Sequence, residues 1–266
     1  MREYIDKDFE ELLRQNQMVS FDKIWNLPKD WFEEPNIRRN GWSGVSLHTL
    51  NNMNTKPLRI VIKRQENHQF RSIMHPLGRP TFYKEYKNIM ALEKRNIPSL
   101  KAIYYGERRI DSRCQAILIT LVLENYLSLN DLGKNDKRLN PEIVTKLARL
   151  VRTFHDAGFQ HRSLYGKHIL VKTDGTSGNH PDIRLIDLEK MRRGLTTSTK
   201  RSRDVSQLIR HSESLSKEDI KLFLHSYLTD NPAWGHEFLL KLKSRTSRKL
   251  KASAKRSSTS IENLIS

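Results

Sequence analysis

Short apolar runs separated by turn residues fill the first half of this chain, and longer amphipathic repeats fill the second half. In the first half the apolar runs predict strands at 38–47, 58–64, 102–106 and 116–123, and the first range contains two strands that meet at a glycine turn. Between them, 82–94 carries apolar residues at helical spacing. The first half is therefore predicted to form a small antiparallel sheet with one helix.

The second half is predicted to be mainly helical. A helix is expected at 141–156, where a proline supplies the first residue and the apolar residues share one face. Asp204 is expected to open a further helix, and two more are expected at 217–229 and 233–243. Residues 1–30 also have helical character, which predicts an N-terminal helical extension.

Polar residues that could take part in catalysis or binding are grouped around one predicted hairpin. A polar turn at 161–168 runs into the short apolar strand 169–171, and a second apolar strand, 183–186, ends on Asp187. A turn at 173–179 that contains Gly, Ser and Asn joins the two strands. Histidine, arginine, serine and aspartate side chains are therefore expected at one end of this hairpin.

Composition narrows the class of protein. The chain has 48 Lys and Arg against 30 Asp and Glu, a net charge of +18 in 266 residues, which favours anionic partners. One cysteine, Cys114, cannot form an internal disulfide and fits a reducing compartment. No run approaches the ~20 apolar residues that span a bilayer, and residues 1–14 lack the apolar core of a signal peptide. We therefore expect a cytoplasmic protein.

Part of the charge excess lies at the C-terminal end. From 241 to 266 there are eight Lys or Arg and one acidic residue, Glu262. Because this Ser- and Lys-rich stretch has no aromatic residue, 244–266 is predicted to be a disordered tail. Such a tail is most often only solvated, and attraction to an anionic membrane surface or to nucleic acid is the alternative.

Two further sets of residues are candidates for phosphate binding. Gly41 and Gly44 have no Cβ and would let backbone N–H groups approach phosphate oxygens, although an ordinary hairpin also explains a glycine pair. Lys63 lies near the end of a strand, and Glu85 lies one turn into the following helix. Glu85 is the candidate ion-pair partner of this lysine, and Glu93, two turns later, is the alternative.

The order of these parts resembles the protein-kinase-like fold, with its glycine turn, strand lysine, helix glutamate, His-Arg loop and strand-end aspartate. More narrowly, four segments resemble the lipopolysaccharide-core kinase (Kdo/WaaP) family and, within it, the InaA-like branch. They are Arg-Arg-Asn-Gly-Trp-Ser-Gly-Val at 38–45, Pro-Leu-Gly-Arg-Pro at 76–80, His-Ile-Leu-Val-Lys at 168–172 and Asp-Leu-Glu-Lys at 187–190. Members of this family are bacterial cytosolic proteins, and the best understood use ATP to phosphorylate a sugar hydroxyl of the lipopolysaccharide inner core.

The resemblance implies an α+β, two-lobed fold. The helical extension at 1–30 would precede an N-lobe at 31–125 that holds the antiparallel sheet and its helix. A mainly helical C-lobe would occupy 126–243, followed by the tail at 244–266. The segment 121–125 would be the hinge whose backbone meets an adenine ring.

The resemblance also implies roles for nucleotide-binding residues. Lys63 would bind phosphate, with Glu85 orienting it, and Gly41 and Gly44 would lie near the phosphates. Asp187 would hold Mg²⁺ that bridges the β- and γ-phosphates, where neutralisation of charge supplies most of the catalytic effect. ATP and Mg²⁺ are therefore the expected cofactors.

The same resemblance assigns the loop residues. His161 and Arg162 would hold the loop in place, and Asp204 would support it from the following helix. Lys167 would be able to reach a transferring phosphate. All four assignments depend on the fold, because without it each of these residues is only a surface charge.

Two loop positions depart from the protein-kinase pattern H-R-D-x-x-x-x-N. Ser163 stands where an aspartate accepts the proton of the substrate hydroxyl, and the InaA-like branch commonly lacks this aspartate. Loss of a general base costs ~10²–10⁴-fold in rate. His168 stands where the metal-binding asparagine belongs; its imidazole can ligate metals, but Mg²⁺ prefers oxygen, so a structural substitute is the alternative.

Three functions are compatible with the sequence. One is a slow phosphotransferase that acts on a sugar hydroxyl, in the cytoplasm or peripherally at the inner membrane through the basic tail. Another is a catalytically inactive pseudokinase that binds nucleotide as a regulator or scaffold. A basic nucleic-acid-binding module is the least favoured, because the chain lacks aromatic residues interleaved along a basic strand and a recognition helix.

Overall fold

The computed structural model describes residues 1–38, 41–52, 56–73, 75–133, 139–173, 181–212, 214–230 and 232–254. The chain divides into two compact units. The first comprises Met1–Lys94 and Ser99–Leu123, and the second comprises Arg95–Pro98 and Glu124–Ser266. The boundary after Leu123 falls inside the predicted hinge segment 121–125.

The first unit is built around an antiparallel sheet. Its strands are β1 (Arg2–Ile5), β2 (Asn36–Arg38), β3 (Gly41–Leu50), β4 (Leu58–Glu66), β5 (Gln69–Ser72), β6 (His75–Pro80), β7 (Ala102–Ile110) and β8 (Arg113–Leu121). The sheet has the order β1-β7-β8-β4-β3-β2, and β5 pairs with β6 as a separate hairpin. Because β4 is bonded on both sides, by β3 and β8, the backbone of the predicted lysine strand is fixed along its length.

Three helices accompany this sheet in the described residues. They are α1 (Glu10–Gln15), α2 (Phe21–Trp25) and α3 (Thr81–Glu93). The short helices α1 and α2 bury Leu13, Phe21 and Ile24 in a common core with the inner faces of β4, β7 and β8. The helix predicted at 82–94 is therefore present as α3, and burial against the sheet stabilises the short N-terminal helices.

The N-terminal extension differs from the helical prediction for residues 1–30. Its first residues form β1, which pairs antiparallel with β7 from Arg2 opposite Glu107 to Ile5 opposite Tyr104. A run of four residues carries too few alternations to distinguish a strand from a helix, so the sequence pattern missed β1. The extension belongs to the same compact unit as the sheet.

Arg64 ties α2 to the strand that carries Lys63. Its guanidinium is fully buried, and it donates to Ser46 Oγ at 2.9 Å and to the backbone oxygen of Ile24, near the end of α2, at 3.0 Å. Burial lowers the pKa of Arg64 to about 10, because the charged form loses its hydration. A helix end with unsatisfied carbonyl groups is a favourable place for a cation.

The second unit is mainly helical. Its helices are α4 (Leu129–Leu132), α5 (Pro141–Asp156), α6 (Ser198–Arg210), α7 (Lys217–Tyr227) and α8 (Gly235–Ala254), and its strands are β9 (Tyr126–Ser128), β10 (Phe159–Gln160), β11 (Ile169–Lys172), β12 (Ile183–Leu185) and β13 (Arg192–Arg193). The predicted hairpin is present as β11 and β12, which β9 extends, and β10 pairs with β13. Most of the turn at 173–179 lies outside the described residues.

The helix α5 has the predicted bounds for the predicted reasons. Pro141 occupies the first turn, and the side chain of Asn140 accepts a hydrogen bond from the backbone N–H of Glu142. Its apolar face, which includes Leu147, Val151 and Phe154, is buried. Strong local signals and a clear amphipathic repeat therefore agree at this helix.

Two helices extend beyond their predicted bounds. The helix α6 begins at Ser198 instead of Asp204, and Ser198 Oγ donates to Glu237 on α8 at 2.6 Å. The helix α8 continues to Ala254, which contradicts the disordered tail predicted from 244, whereas 255–266 lie outside the described residues. Thr246 is buried and contacts Ser206 of α6 at 3.4 Å, so packing between α6 and α8 overrides the polar composition.

We predict that Gly41→Ala destabilises the protein for a packing reason. Gly41 begins β3, and a Cβ there would lie 2.6 Å from the backbone oxygen of Glu66 and 2.7 Å from the backbone carbon of Asn67. Because backbone atoms cannot rotate away, we expect the free energy of unfolding to fall by about 1–3 kcal/mol in urea titrations.

Gly235→Ala is the matched control for this substitution. A Cβ on Gly235, at the start of α8, would meet its nearest atom at 3.4 Å, which is an ordinary contact. This variant should unfold at the wild-type urea concentration or slightly above it. Equal stability of both variants and the wild type would contradict the packing account of Gly41.

Candidate functional site

The first unit carries the predicted ion pair. Lys63 lies on β4 and Glu85 on α3, and the distance from Lys63 Nζ to Glu85 Oε1 is 2.6 Å. The carboxylate is buried at 3% exposure, whereas the lysine side chain retains 21%. The alternative partner, Glu93, instead contacts Lys101 at 2.6 Å. The pairing of Lys63 with Glu85 is confirmed, and its role in nucleotide binding stays a prediction.

A glutamine that the sequence did not single out positions the helix of Glu85. Gln65 is buried on β4, and its Oε1 accepts from the backbone N–H of Phe82 at 3.0 Å and from Thr81 Oγ1 at 3.1 Å. The N-terminal flanking residue of α3, Pro80, offers no side-chain cap. Gln65 therefore satisfies the first turn of α3 from the strand that also carries the lysine. Its only signal in the sequence is its position two residues after Lys63.

Both candidate glycines have packing reasons. Gly41 approaches the backbone of residues 66 and 67, and a Cβ on Gly44 would lie 2.5 Å from the ring of Trp31. The pair does not form the turn itself, because β2 ends at Arg38 and β3 begins at Gly41. Proximity of either glycine to phosphate stays a prediction.

In the second unit, Asp204 supports the His-Arg loop. Its carboxylate is fully buried and accepts from the backbone N–H of His161 at 2.6 Å and of Arg162 at 3.0 Å. Gln207, one turn further along α6, donates to the backbone oxygen of Arg162 at 3.0 Å. These contacts hold Arg162 at a φ of 69°, where few residues other than glycine are found. The supporting contact predicted for Asp204 is therefore present.

His161 joins this loop to the end of β12. Its ring is completely buried, and Nε2 lies 3.0 Å from the backbone oxygen of Ile186, the residue before Asp187. Burial, together with the nearby His168, lowers the pKa of His161 from its ordinary value of 6.5 to about 4. The ring is therefore neutral at pH 7, and its Nε2–H donates to the carbonyl oxygen.

Ser163 does not present its side chain to solvent. The residue is 1% exposed, and its buried Oγ has no hydrogen-bond partner among the described residues. Its backbone oxygen instead accepts from His168 Nδ1 at 2.8 Å. The structure therefore has no exposed hydroxyl at the position where protein kinases carry the catalytic aspartate.

His168 and Asp187 are neighbours. His168 Nδ1 lies 3.4 Å from Asp187 Oδ2, and the same nitrogen must carry a hydrogen because it donates to the Ser163 carbonyl. In the neutral ring the lone pair then lies on Nε2, so this contact is compatible both with a structural role and with metal ligation through Nε2, and the role of His168 stays a prediction. Across the part of the chain that the structure describes, no three His, Cys, Asp or Glu side chains form a group suited to a metal.

Asp187 has the geometry of an accessible carboxylate. It lies between β12 and the short 3₁₀ turn Leu188–Lys190, with φ 57° and ψ 58°, and its side chain is 38% exposed. Mg²⁺ is commonly bound by one or two carboxylates, with phosphate and water oxygens completing its octahedron. A single exposed aspartate therefore fits Mg²⁺ that arrives with a nucleotide.

The surface near the loop is strongly positive. Burial and the positive charges of Arg192 and Arg203 lower the pKa of Arg162. The pairing of Gln160 with Arg192, and the contact of Asp204 with the loop, bring these arginines together. Lys167 is exposed within the 3₁₀ turn Gly166–His168 that follows.

We predict a pH dependence of stability from His161. The unfolded chain binds more protons than the folded chain between pH 6.5 and about 4, so the free energy of unfolding falls as the pH falls through this window. The contribution of His161 should be about 2 kcal/mol between pH 7 and pH 5, measured by urea unfolding. In His161→Asn this contribution should be absent.

His236→Asn is the control for this measurement, because His236 is exposed on α8. That variant should keep the wild-type difference between the two pH values. An unchanged difference in His161→Asn would show that burial of this ring does not govern acid stability.

The chain is similar to several known proteins. The family model for the lipopolysaccharide kinase (Kdo/WaaP) family matches residues 22–227. Protein InaA of Escherichia coli (strain K12) is 30% identical over 205 residues, which cover 75% of this chain and 91% of InaA. The lipopolysaccharide core heptose(I) kinase WaaP of Pseudomonas aeruginosa is 28% identical over 155 residues, which cover 54% of this chain and 58% of WaaP.

A solved structure, WaaP in complex with acyl carrier protein, matches with a TM-score of 0.69 at 22% identity and covers 95% of this chain and 99% of its own. At this identity the match shows the fold alone, and it confirms the predicted kinase-like α+β fold. No helix within the described ranges is long and apolar enough to cross a membrane. With most of its length matched, the chain belongs to the lipopolysaccharide kinase (Kdo/WaaP) family.

Proposed function

We propose that this protein binds ATP with Mg²⁺ and slowly transfers the γ-phosphate to a hydroxyl of a lipopolysaccharide-core sugar. The observation that carries the proposal is the 2.6 Å ion pair between Lys63 and the buried Glu85. An ammonium group has three donors, and this contact uses one of them. The lysine therefore keeps donors for phosphate oxygens while the buried carboxylate restricts its position.

Asp187 is the residue proposed to hold Mg²⁺. When bound, Mg²⁺ would neutralise charge on the phosphates. The 3.4 Å contact with His168 Nδ1 leaves the other carboxylate oxygen of Asp187 outside that pair, and 38% of the side chain is exposed. His168 would orient Asp187, because its ring is itself fixed by the backbone oxygen of Ser163 at 2.8 Å.

The slow rate follows from position 163. Phosphoryl transfer depends mainly on positioning and electrostatic stabilisation, which Lys63 and Asp187 would still supply. Without a carboxylate to accept the hydroxyl proton, the rate should fall by ~10²–10⁴-fold relative to an enzyme that has one. The positive surface of Arg162, Arg192 and Arg203 supports an acceptor that carries anionic groups.

A second candidate function is nucleotide binding without transfer, as a regulator or scaffold. The burial of the Ser163 hydroxyl favours it, because no exposed side chain replaces the missing base at that position. Both candidates share one nucleotide site and a cytoplasmic location. In either case, the basic residues of α8 and the tail that follows are proposed to approach the anionic inner face of the membrane.

We predict that binding of Mg²⁺-ATP, measured by titration calorimetry, weakens at least about tenfold in Lys63→Ala, since each charge-assisted hydrogen bond contributes about 1.5–3 kcal/mol. Asp187→Ala should weaken binding only when Mg²⁺ is present. Lys7→Ala removes an exposed lysine of the same unit and should bind as the wild type does. Absence of binding in the wild type would exclude both candidate functions.

We predict that Ser163→Asp increases phosphate transfer by about 10-fold or more, because it restores a proton acceptor. The measurement is transfer of labelled γ-phosphate to purified core oligosaccharide in single turnovers. Calorimetry on the same variant would verify that the nucleotide site remains intact. If both proteins bind ATP and neither transfers phosphate, the regulator or scaffold is the correct function.

A further inference from the structure

The first unit contains a cavity that the proposed nucleotide site does not use. It has a volume of about 450 Å³, within the range of sites for small ligands. Residues of β1, β6, β7 and β8 line it. The residues that matter for its chemistry are Arg2, His75, Leu77, Arg79, Glu107 and Arg109.

One side of the cavity is a fixed ion pair. Arg79 donates to Glu107 through Nη2 at 2.5 Å and through Nε at 3.3 Å, and its guanidinium lies 3.2 Å from the centre of the Tyr83 ring. Tyr105 Oη also donates to Glu107, at 2.6 Å. Both charged side chains are nearly buried, so Arg79 neutralises Glu107 in a rigid arrangement.

Two other arginines of the cavity have no such partner. Arg109 is exposed and donates to the backbone oxygen of Leu77 at 3.3 Å, which leaves its charge unneutralised. Arg2 is 71% exposed and lies 3.8 Å from Glu107, whose charge Arg79 already balances. A fourth arginine, Arg108, pairs with Asp22 at 2.5 Å. Among the side chains that line the cavity, Arg2 and Arg109 are thus the cations whose charge no carboxylate of their own balances, and the lining has an excess of positive charge.

The hairpin of β5 and β6 forms one wall of the cavity, and its backbone conformation is restricted at Gly78. Gly78 has a φ of +80°, and a Cβ there would lie 2.5 Å from Gln69 Oε1 on β5. The wall includes the motif Pro-Leu-Gly-Arg-Pro at 76–80. The proposed nucleotide site, which uses Lys63 and Asp187, assigns no role to this motif. Leu77 is 81% exposed and adds an apolar surface beside the two arginines.

We propose that this cavity binds a small soluble phosphomonoester, with Arg2 and Arg109 contacting the phosphate and Leu77 contacting the rest of the molecule. Guanidinium groups match phosphate oxygens with paired donors. A phosphomonoester carries a charge of about −1.5 to −2 at pH 7, which matches the charge of Arg2 and Arg109 better than the single charge of a monocarboxylate does. A concave site lined mainly by one sign of charge strengthens this attraction.

The test uses the full chain without nucleotide or Mg²⁺ and titrates sn-glycerol 3-phosphate by calorimetry. Arg109→Gln should weaken binding at least about tenfold, because it removes a charge-assisted contact. Arg2→Gln should act in the same direction. Arg14→Gln is the matched control, because it removes the same charge from an exposed site on α1 that does not line the cavity. Thermal melting would verify that the variants fold.

Lys63→Ala distinguishes this cavity from the nucleotide site and should leave the affinity for glycerol 3-phosphate unchanged. Loss of binding in Lys63→Ala, with retention in Arg109→Gln, would assign the phosphate to the nucleotide site and overturn the proposal. No binding by the wild type would also overturn it. Binding to vesicles that contain phosphatidic acid, without binding to glycerol 3-phosphate, would replace the soluble ligand with a lipid headgroup and overturn it as stated.

Discussion

A fully buried carboxylate on α6 holds the His-Arg loop of the second unit. Asp204 accepts hydrogen bonds from two consecutive backbone N–H groups, at His161 and Arg162, and lies 3.3 Å from His155 Nε2 on α5. Tyr227 on α7 reaches the other ring nitrogen of His155 at 2.7 Å. A buried charge is costly unless donors surround it, so these contacts stabilise one arrangement of three helices and the loop.

This arrangement explains how the loop can keep its shape with a serine at position 163, where the protein-kinase pattern has an aspartate. Asp204 holds residues 161 and 162 by their backbone N–H groups, the His161 ring adds its contact with Ile186, and none of these contacts involves the side chain at 163. Ser163 contributes its carbonyl oxygen to His168, which any residue at that position would supply. A serine at position 163 therefore lacks the carboxylate of an aspartate, but the contacts that hold the loop are all still made. Position 163 can vary while the surrounding geometry persists.

Local signals made much of the fold predictable from the sequence. The bounds of α5 follow from a proline, a capping asparagine and an amphipathic repeat, all within one segment. The pairing of Lys63 with Glu85 was predictable because the kinase-like order of strand and helix brings two distant residues together. In both cases the information lies in residue type and spacing.

Features that depend on tertiary contacts were not predictable in this way. The start of α6 and the extension of α8 depend on packing between these two helices, which polar residues such as Ser198 and Thr246 complete. The strand β1 depends on β7, about a hundred residues away. Gln65 gains its role only when α3 lies against β4. The residues adjacent in the sequence to each of these elements do not identify its distant partner.

The burial of Arg64 limits where the chain can be truncated without loss of the fold. Its guanidinium is fully buried and depends on the backbone oxygen of Ile24 as well as on Ser46. A fragment that begins at residue 31, where the kinase-like lobe was expected to start, would lack that oxygen and would expose the core side chains packed against Phe21 and Ile24. The fragment would also lack the backbone oxygen of Leu27, 3.4 Å from Arg64 Nη2, and a charge left in an apolar interior with two acceptors fewer is strongly destabilising. The first thirty residues are thus an integral part of the folding unit, and the smallest autonomous domain must include them.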